Sequence, residues 1–235
     1  MARRSVSAGM TRLEKILGGG LLAIYLFVLP LTADPLFDLI GKLFGITISE
    51  GVRDAAYYYI LFALTLIALW GYFGRTTRAF LDRAGGVLAA AGLGLVAFYG
   101  LNEISWRVLR MFFSGQINLN DQNILARMDT SPHTTVLIVV ILAPVVEEAI
   151  FRGYVFGNLR EYGRWPAYLA SCLLFAWVHV WPFVAAGWDF SYLPLMVQYI
   201  VPGLVMAWTF ERAGSLWGSV LLHCAVNGLA VWSAM

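Results

Sequence analysis

The sequence predicts an all-α fold: a polytopic transmembrane helical bundle of about seven spans. Three observations carry that prediction. Of 235 residues, 60% are hydrophobic and only 13% are charged, whereas a soluble domain carries about 25% charge. Mean hydropathy is +0.73. Apolar runs recur at the length of about 20 residues that a helix needs to cross a bilayer. The formal net charge of +2 is too small to mark a nucleic-acid surface, so the expected partner is the lipid bilayer and no nucleic acid.

Taken in order, the spans are read at 16–33, 56–74, 85–101, 134–157, 166–187, 192–210 and 214–234. The first follows a basic start and also resembles a signal peptide, with small residues at Thr32-Ala33. A retained span is expected, because it completes the topology. Gly18, Gly19 and Gly20 read as a loosened start to it. In the third, Gly86, Ala90 and Gly94 form a small-residue ridge on one helical face, which predicts a close helix–helix contact. The connectors are short except 34–55 and 102–133. The latter holds Ile104, Trp106, Val108, Leu109, Phe112 and Phe113 among Arg107 and Arg110. It reads as an interfacial amphipathic helix or as an eighth, partly inserted span.

Charge sets the orientation. One set of connectors holds Arg3, Arg4, Arg12, Lys15, Arg75, Arg78, Arg83, Arg160, Arg164 and Arg212. The other holds Lys42, Arg53, Arg107, Arg110 and Arg127. The positive-inside rule then predicts N-in and C-out, in a bacterial-type plasma membrane. Residues 1–130 are read as N-terminal helices with an interfacial segment, and 131–235 as the functional core of one integral membrane unit.

That core carries the polar residues that need explaining. Glu147 and Glu148 lie deep in the fourth span, where a carboxylate costs roughly 2.5–3.5 kcal/mol to insert. An ionisable residue so placed marks a candidate functional site. Glu148 and Arg152 are four apart with the acid first, the favourable order for a helical ion pair, so their plain role is to neutralise each other. Glu147 points about 100° away and is left without a local partner. The fifth span puts Phe175 and His179 on one face, and the seventh puts His223 and Asn227 on one face. At a rise of 1.5 Å per residue, Glu147, His179 and His223 all fall roughly 13–20 Å deep. Groups at one depth offset their burial cost if they meet around water. Cys172 and Cys224 form no disulfide framework and no metal motif. They read as apolar filler, and His133 reads as a solvated residue at a loop–helix junction.

Three motifs in order, EExxxR (Glu147, Glu148, Arg152), FxxxH (Phe175, His179) and HxxxN (His223, Asn227), resemble those of the CAAX-protease and bacteriocin-processing (CPBP, or Abi) family of intramembrane proteases. That family includes the type II CAAX prenyl endopeptidases. The likeness covers roughly residues 130–235, with no departure at the motif positions. It implies a glutamate-dependent endopeptidase acting on a membrane-tethered peptide or protein, lipidated or not. In that implication Glu147 activates water and His179 helps to hold it. His223 and Asn227 stabilise the oxyanion, while Glu148 and Arg152, with Phe175, support the site. No cofactor is needed. Two other readings stay open. A zinc protease would use His179, His223 and Glu147 as ligands with water as the fourth. A non-catalytic immunity factor or proton-coupled membrane protein would use buried Glu and His as a relay. Short loops predict that substrate enters from the membrane plane, through an opening beside Glu147.

Overall fold

The computed structural model describes residues 9–112 and 118–234; Arg3, Arg4 and Phe113 lie outside them. Among the described residues there is no strand. The helices are α1 Arg12–Phe44, α2 Glu50–Ala68, α3 Trp70–Asp82, α4 Ala84–Phe112, α5 Leu119–Thr130, α6 Pro132–Leu159, α7 Arg164–Gly187, α8 Phe190–Ala213 and α9 Leu216–Ala234. Seven of these, all but α3 and α5, are long and apolar enough to cross a membrane. The chain is a multi-pass helical membrane protein.

Local chemistry sets the boundaries. A capping box opens α1: Glu14 N–H donates to Thr11 Oγ1, and Thr11 N–H donates to Glu14 Oε2 at 2.7 Å. The helix closes at Gly45, whose φ of 64° is left-handed. Asn118 caps α5 by accepting from Asn120 N and Asp121 N. Gly214, at φ 67°, ends α8.

Several expectations need correction. The first span runs to Phe44 rather than 33, through Pro30 and Pro35. The second ends at Ala68, and Leu69 separates it from α3. The segment 102–112 is not a separate eighth helix but continues the third without a break in its backbone ladder. A separate polar helix, α5, follows it. Gly18 and Gly19 do not loosen α1; they are helical and let the Tyr154 ring lie against it, where a Cβ at Gly18 would stand 2.5 Å from Tyr154 Cδ2. The ridge on α4 holds at Ala90 and Gly94, which pack closely on α8 and α9. A Cβ at Gly86 would meet nothing within 4 Å.

The centre of the bundle is α6. Of its most apolar stretch, 67% is buried, against 11% for α2. It is packed against α1, α2, α7, α8 and α9. The main core joins Leu21, Tyr25 and Leu61 from the first two spans to Val146, Ile150, Phe151, Phe175 and Phe210 from the later ones. The two halves of the chain therefore share one interior. Among the described residues three stretches are π-helical: Ile24–Val28 in α1, and Ile138–Leu142 and Glu148–Phe156 in α6. Such widened turns recur at functional sites.

Candidate active site

Glu147 ends the short α-helical stretch between the two π-helical segments of α6 and Glu148 opens the second of them; both are buried, at 5% and 0% exposure. Their adjacent positions send the side chains in different directions, as the helical step requires.

Glu148 is the fixed one. Its Oε1 accepts from Arg152 Nη1 at 3.0 Å and from His223 Nδ1 at 3.0 Å. Arg152, fully buried, also donates from Nη2 to the Gly203 carbonyl at 3.1 Å, and its guanidinium lies 4.4 Å from the Phe175 ring centroid. One cation thus ties α6 to α7 and α8, while the carboxylate reaches α9. Gly203 also lets α8 lie close to α7, since a Cβ there would stand 3.3 Å from Cys172 Cα. The expected ion pair is present. The second bond, to His223, spans 75 residues and left no mark in the spacing of the motifs.

Glu147 is held on one side only. Its Oε1 accepts from the Tyr25 hydroxyl of α1 at 2.8 Å. Its Oε2 has no hydrogen-bond partner and faces His179 Nε2 and His223 Nε2, each at 3.9 Å. That is too long for a direct hydrogen bond.

The far side of each imidazole is committed. His179 Nδ1 lies 2.7 Å from the Phe175 carbonyl, and because a carbonyl only accepts, Nδ1 carries the proton. His223 Nδ1 lies against the Glu148 carboxylate, with the same consequence. In the neutral rings both Nε2 atoms are then acceptors directed at Glu147 Oε2. Aromatic packing holds the rings: Phe175 stands 4.5 Å from His179 and 5.9 Å from His223, centroid to centroid, and Tyr199 stacks on His179 at 4.5 Å.

Six of the seven candidate residues therefore meet: Glu147, Glu148, Arg152, Phe175, His179 and His223. Asn227 is tied to α6 at a different level, where Nδ2 donates to the Val139 carbonyl at 2.8 Å. Two contributors went unread. Tyr199 continues outward, donating to Asn118 Oδ1 at 2.8 Å. Tyr25 carried a usable signal, since it is a tyrosine at the centre of an apolar span, away from the interfaces where tyrosines gather. The opening expected beside Glu147 is not formed in this conformation, because the carboxylate is only 5% exposed. Cys172 and Cys224 are free.

The donor set does not fit zinc as placed. A tetrahedral ion with bonds of about 2.0–2.2 Å brings its ligand atoms to ~3.4 Å from one another, and here Oε2 is 3.9 Å from both nitrogens. Among the described residues, no group of three or more His, Cys, Asp or Glu is disposed to hold a metal ion.

Residues 129–229 match the family described as Type II CAAX prenyl endopeptidase Rce1-like, which bears out the resemblance drawn from the three motifs. Among curated proteins, the chain is 30% identical over 87 residues to the UPF0177 protein YxdF of Lactococcus lactis subsp. lactis, covering 37% of this chain and 42% of that protein. It is 31% identical over 94 residues to the UPF0177 protein YbdI of the same bacterium, covering 39% and 44%. It is 29% identical over 98 residues to a UPF0177 protein from the abiGi 5' region of Lactococcus lactis subsp. cremoris, covering 42% and 37%. The matched part thus spans between 37% and 44% of the length of these relatives. With the seven apolar helices, they support a place in a bacterial membrane. No solved structure matches the chain.

Proposed function

We propose, with the Rce1-like match over residues 129–229 as the premise, that this chain is an intramembrane endopeptidase. It would hydrolyse a peptide bond in a membrane-tethered substrate by glutamate-activated water. The observation that carries the reading is the free Oε2 of Glu147, buried and facing two imidazole Nε2 atoms at 3.9 Å each. One bridging water spans such a separation with two ordinary hydrogen bonds.

Each group then has a task. Glu147 takes a proton from water as the water oxygen bonds to the scissile carbonyl carbon, the work of a positioned general base. His179, its Nδ1 committed to the Phe175 carbonyl, accepts from the same water and aims its lone pair. The oxyanion needs a donor, which a neutral Nε2 cannot be. We assign that donor to His223 in its doubly protonated form, with Nδ1–H bonded to Glu148 and Nε2–H turned toward the oxyanion. Asn227, bonded to the Val139 carbonyl at a different level, is assigned to bracing α9 against α6 rather than to the oxyanion. Collapse of the tetrahedral intermediate breaks the C–N bond, and the proton held by Glu147 passes to the leaving amine. Glu148 and Arg152 hold four helices in register throughout. Donors set in a water-excluded site lower such barriers by about 3 kcal/mol each.

The metal-free reading is preferred to a zinc enzyme because the donor atoms stand too far apart. The test compares membrane peptides by mass spectrometry from cells carrying wild type or Glu147→Gln, and then assays the purified protein on any peptide so found. Products should vanish in the variant, and wild-type cleavage should survive a chelator. Processing by Glu147→Gln at the wild-type rate would refute the proposal. Loss on chelation with return on added Zn²⁺ would move the site to the zinc class.

A further inference from the structure

Glu147 has two oxygens, and the reaction above uses one of them. The other is occupied by a residue from the opposite end of the sequence. Tyr25 Oη donates to Oε1 at 2.8 Å across 122 positions, in a fully buried bond. Tyr25 lies in α1, outside the matched residues 129–229, so the three motifs give no hint of it.

Three features show that its place is specified. The residue stands in the π-helical turn Ile24–Val28, a widened turn of the kind that recurs at functional sites. Its ring is 4% exposed and packs 6.2 Å from Phe151, four residues beyond Glu147 on α6. Gly18 and Leu21 continue the buried stripe of α1 toward the N-terminus, seven and four residues before Tyr25. At Gly18 the Tyr154 ring of α6 comes so close that only a glycine fits. The first span is therefore docked on α6 along a seam that ends at the carboxylate.

A carboxylate turns about its own bond unless both oxygens are engaged or crowded. With Oε1 held, Oε2 is left directed at the two Nε2 atoms. With Oε1 released, no other hydrogen bond among the described residues holds the carboxylate. We infer that Tyr25 is the positioning residue of Glu147: α1 supplies the hydroxyl that holds the base in its reactive orientation, so the first span completes a site whose other members lie on α6, α7, α8 and α9. The inference rests on the reading of Glu147 as the base, and its test separates the two.

The probe is the peptide that cells with Glu147→Gln leave uncut, synthesised with a fluorophore and a quencher and assayed with the full chain in detergent. Tyr25→Phe keeps the ring and removes only the donor. We expect kcat to fall about 10- to 100-fold, the scale of a misplaced reactive group, with KM within twofold and the thermal midpoint unchanged. Tyr25→Phe at the wild-type rate, with Glu147→Gln inactive, overturns the inference and leaves the base assignment standing. A raised KM with intact kcat also overturns it, because Tyr25 would then be a substrate contact. Full activity of Glu147→Gln, or no peptide distinguishing that variant, removes both. Should Tyr25→Phe fail to fold, a fluorotyrosine at position 25 keeps the ring and the hydroxyl and alters only its strength as a donor. A change in kcat of twofold or more at fixed KM then supports the inference, and an unchanged kcat overturns it.

Discussion

Glu147 and Glu148 share a residue type, a helix and a depth, yet their surroundings bind them differently. Glu148 accepts from both Arg152 and His223, and neither it nor Arg152 has any exposed surface. Removing one partner of a buried pair leaves an uncompensated charge, at a cost of about 3–5 kcal/mol. Glu148→Gln should therefore lower the thermal midpoint in detergent sharply, whereas Glu147→Gln should leave it nearly unchanged. Replacing both partners, as Glu148→Met with Arg152→Met, should recover much of the loss. If the double variant melts no higher than Glu148→Gln, the charge-pair account is wrong. The i,i+4 spacing made the Glu148–Arg152 contact legible in the sequence, and Phe175–His179 likewise. Contacts between distant helices were not legible, because spacing along one helix does not say which face of another it meets. His223 to Glu148 and Tyr25 to Glu147, 75 and 122 residues apart, belong to that second class.

The existence and order of the seven spans were readable from hydropathy, while their ends and internal geometry were not. Apolar runs stop where polar residues begin, but α1, α4 and α6 continue as helix beyond that point, since the backbone ladder is indifferent to side-chain polarity at an interface. The π-helical turns leave no compositional trace. Small residues are a better guide to packing, within limits. Gly94 and Gly86 lie eight apart on one helix and look equivalent in sequence, yet they face different surroundings. A Cβ at Gly94 would collide with Thr209 Oγ1 and stand 2.8 Å from Leu222 Cδ2, whereas one at Gly86 would meet nothing within 4 Å. Gly94→Val should destabilise by about 1–3 kcal/mol through overpacking. Gly86→Val should stay within about 0.5 kcal/mol, as exposed substitutions do. Thermal melts of the two purified variants decide this, and equal midpoints would remove the close contact between α4 and its neighbours.

Across the whole molecule, the ion pairs sort by end of the bundle. At one end Glu14 pairs with Arg75, Lys15 approaches Glu161 at 3.7 Å, and Glu211 gathers Arg160 at 2.9 Å and Arg164 at 2.8 Å. These contacts join the start of α1, the middle of α3, the α6–α7 connector with the first residue of α7, and the end of α8. At the other end Arg53 pairs with Asp38 at 2.7 Å and Asp34 at 3.7 Å, and Arg127 pairs with Asp54. The first end also holds Arg12, Arg78, Arg83 and Arg212, so the excess of basic residues is a property of the folded bundle. Lys and Arg resist translocation, and the richer end stays cytoplasmic. We propose on that ground that α1 begins inside the cell, and an odd number of spans then carries the end of α9 outside. Alkaline phosphatase, which folds only in an oxidising compartment, should be active when fused after Met235, and a fluorescent protein sensitive to export should be dark there. Fused after Asp82, between α3 and α4, the two reporters should exchange their signals. A phosphatase active at both positions would contradict the seven-span count, and a full inversion would contradict the orientation while leaving the count and the buried site untouched.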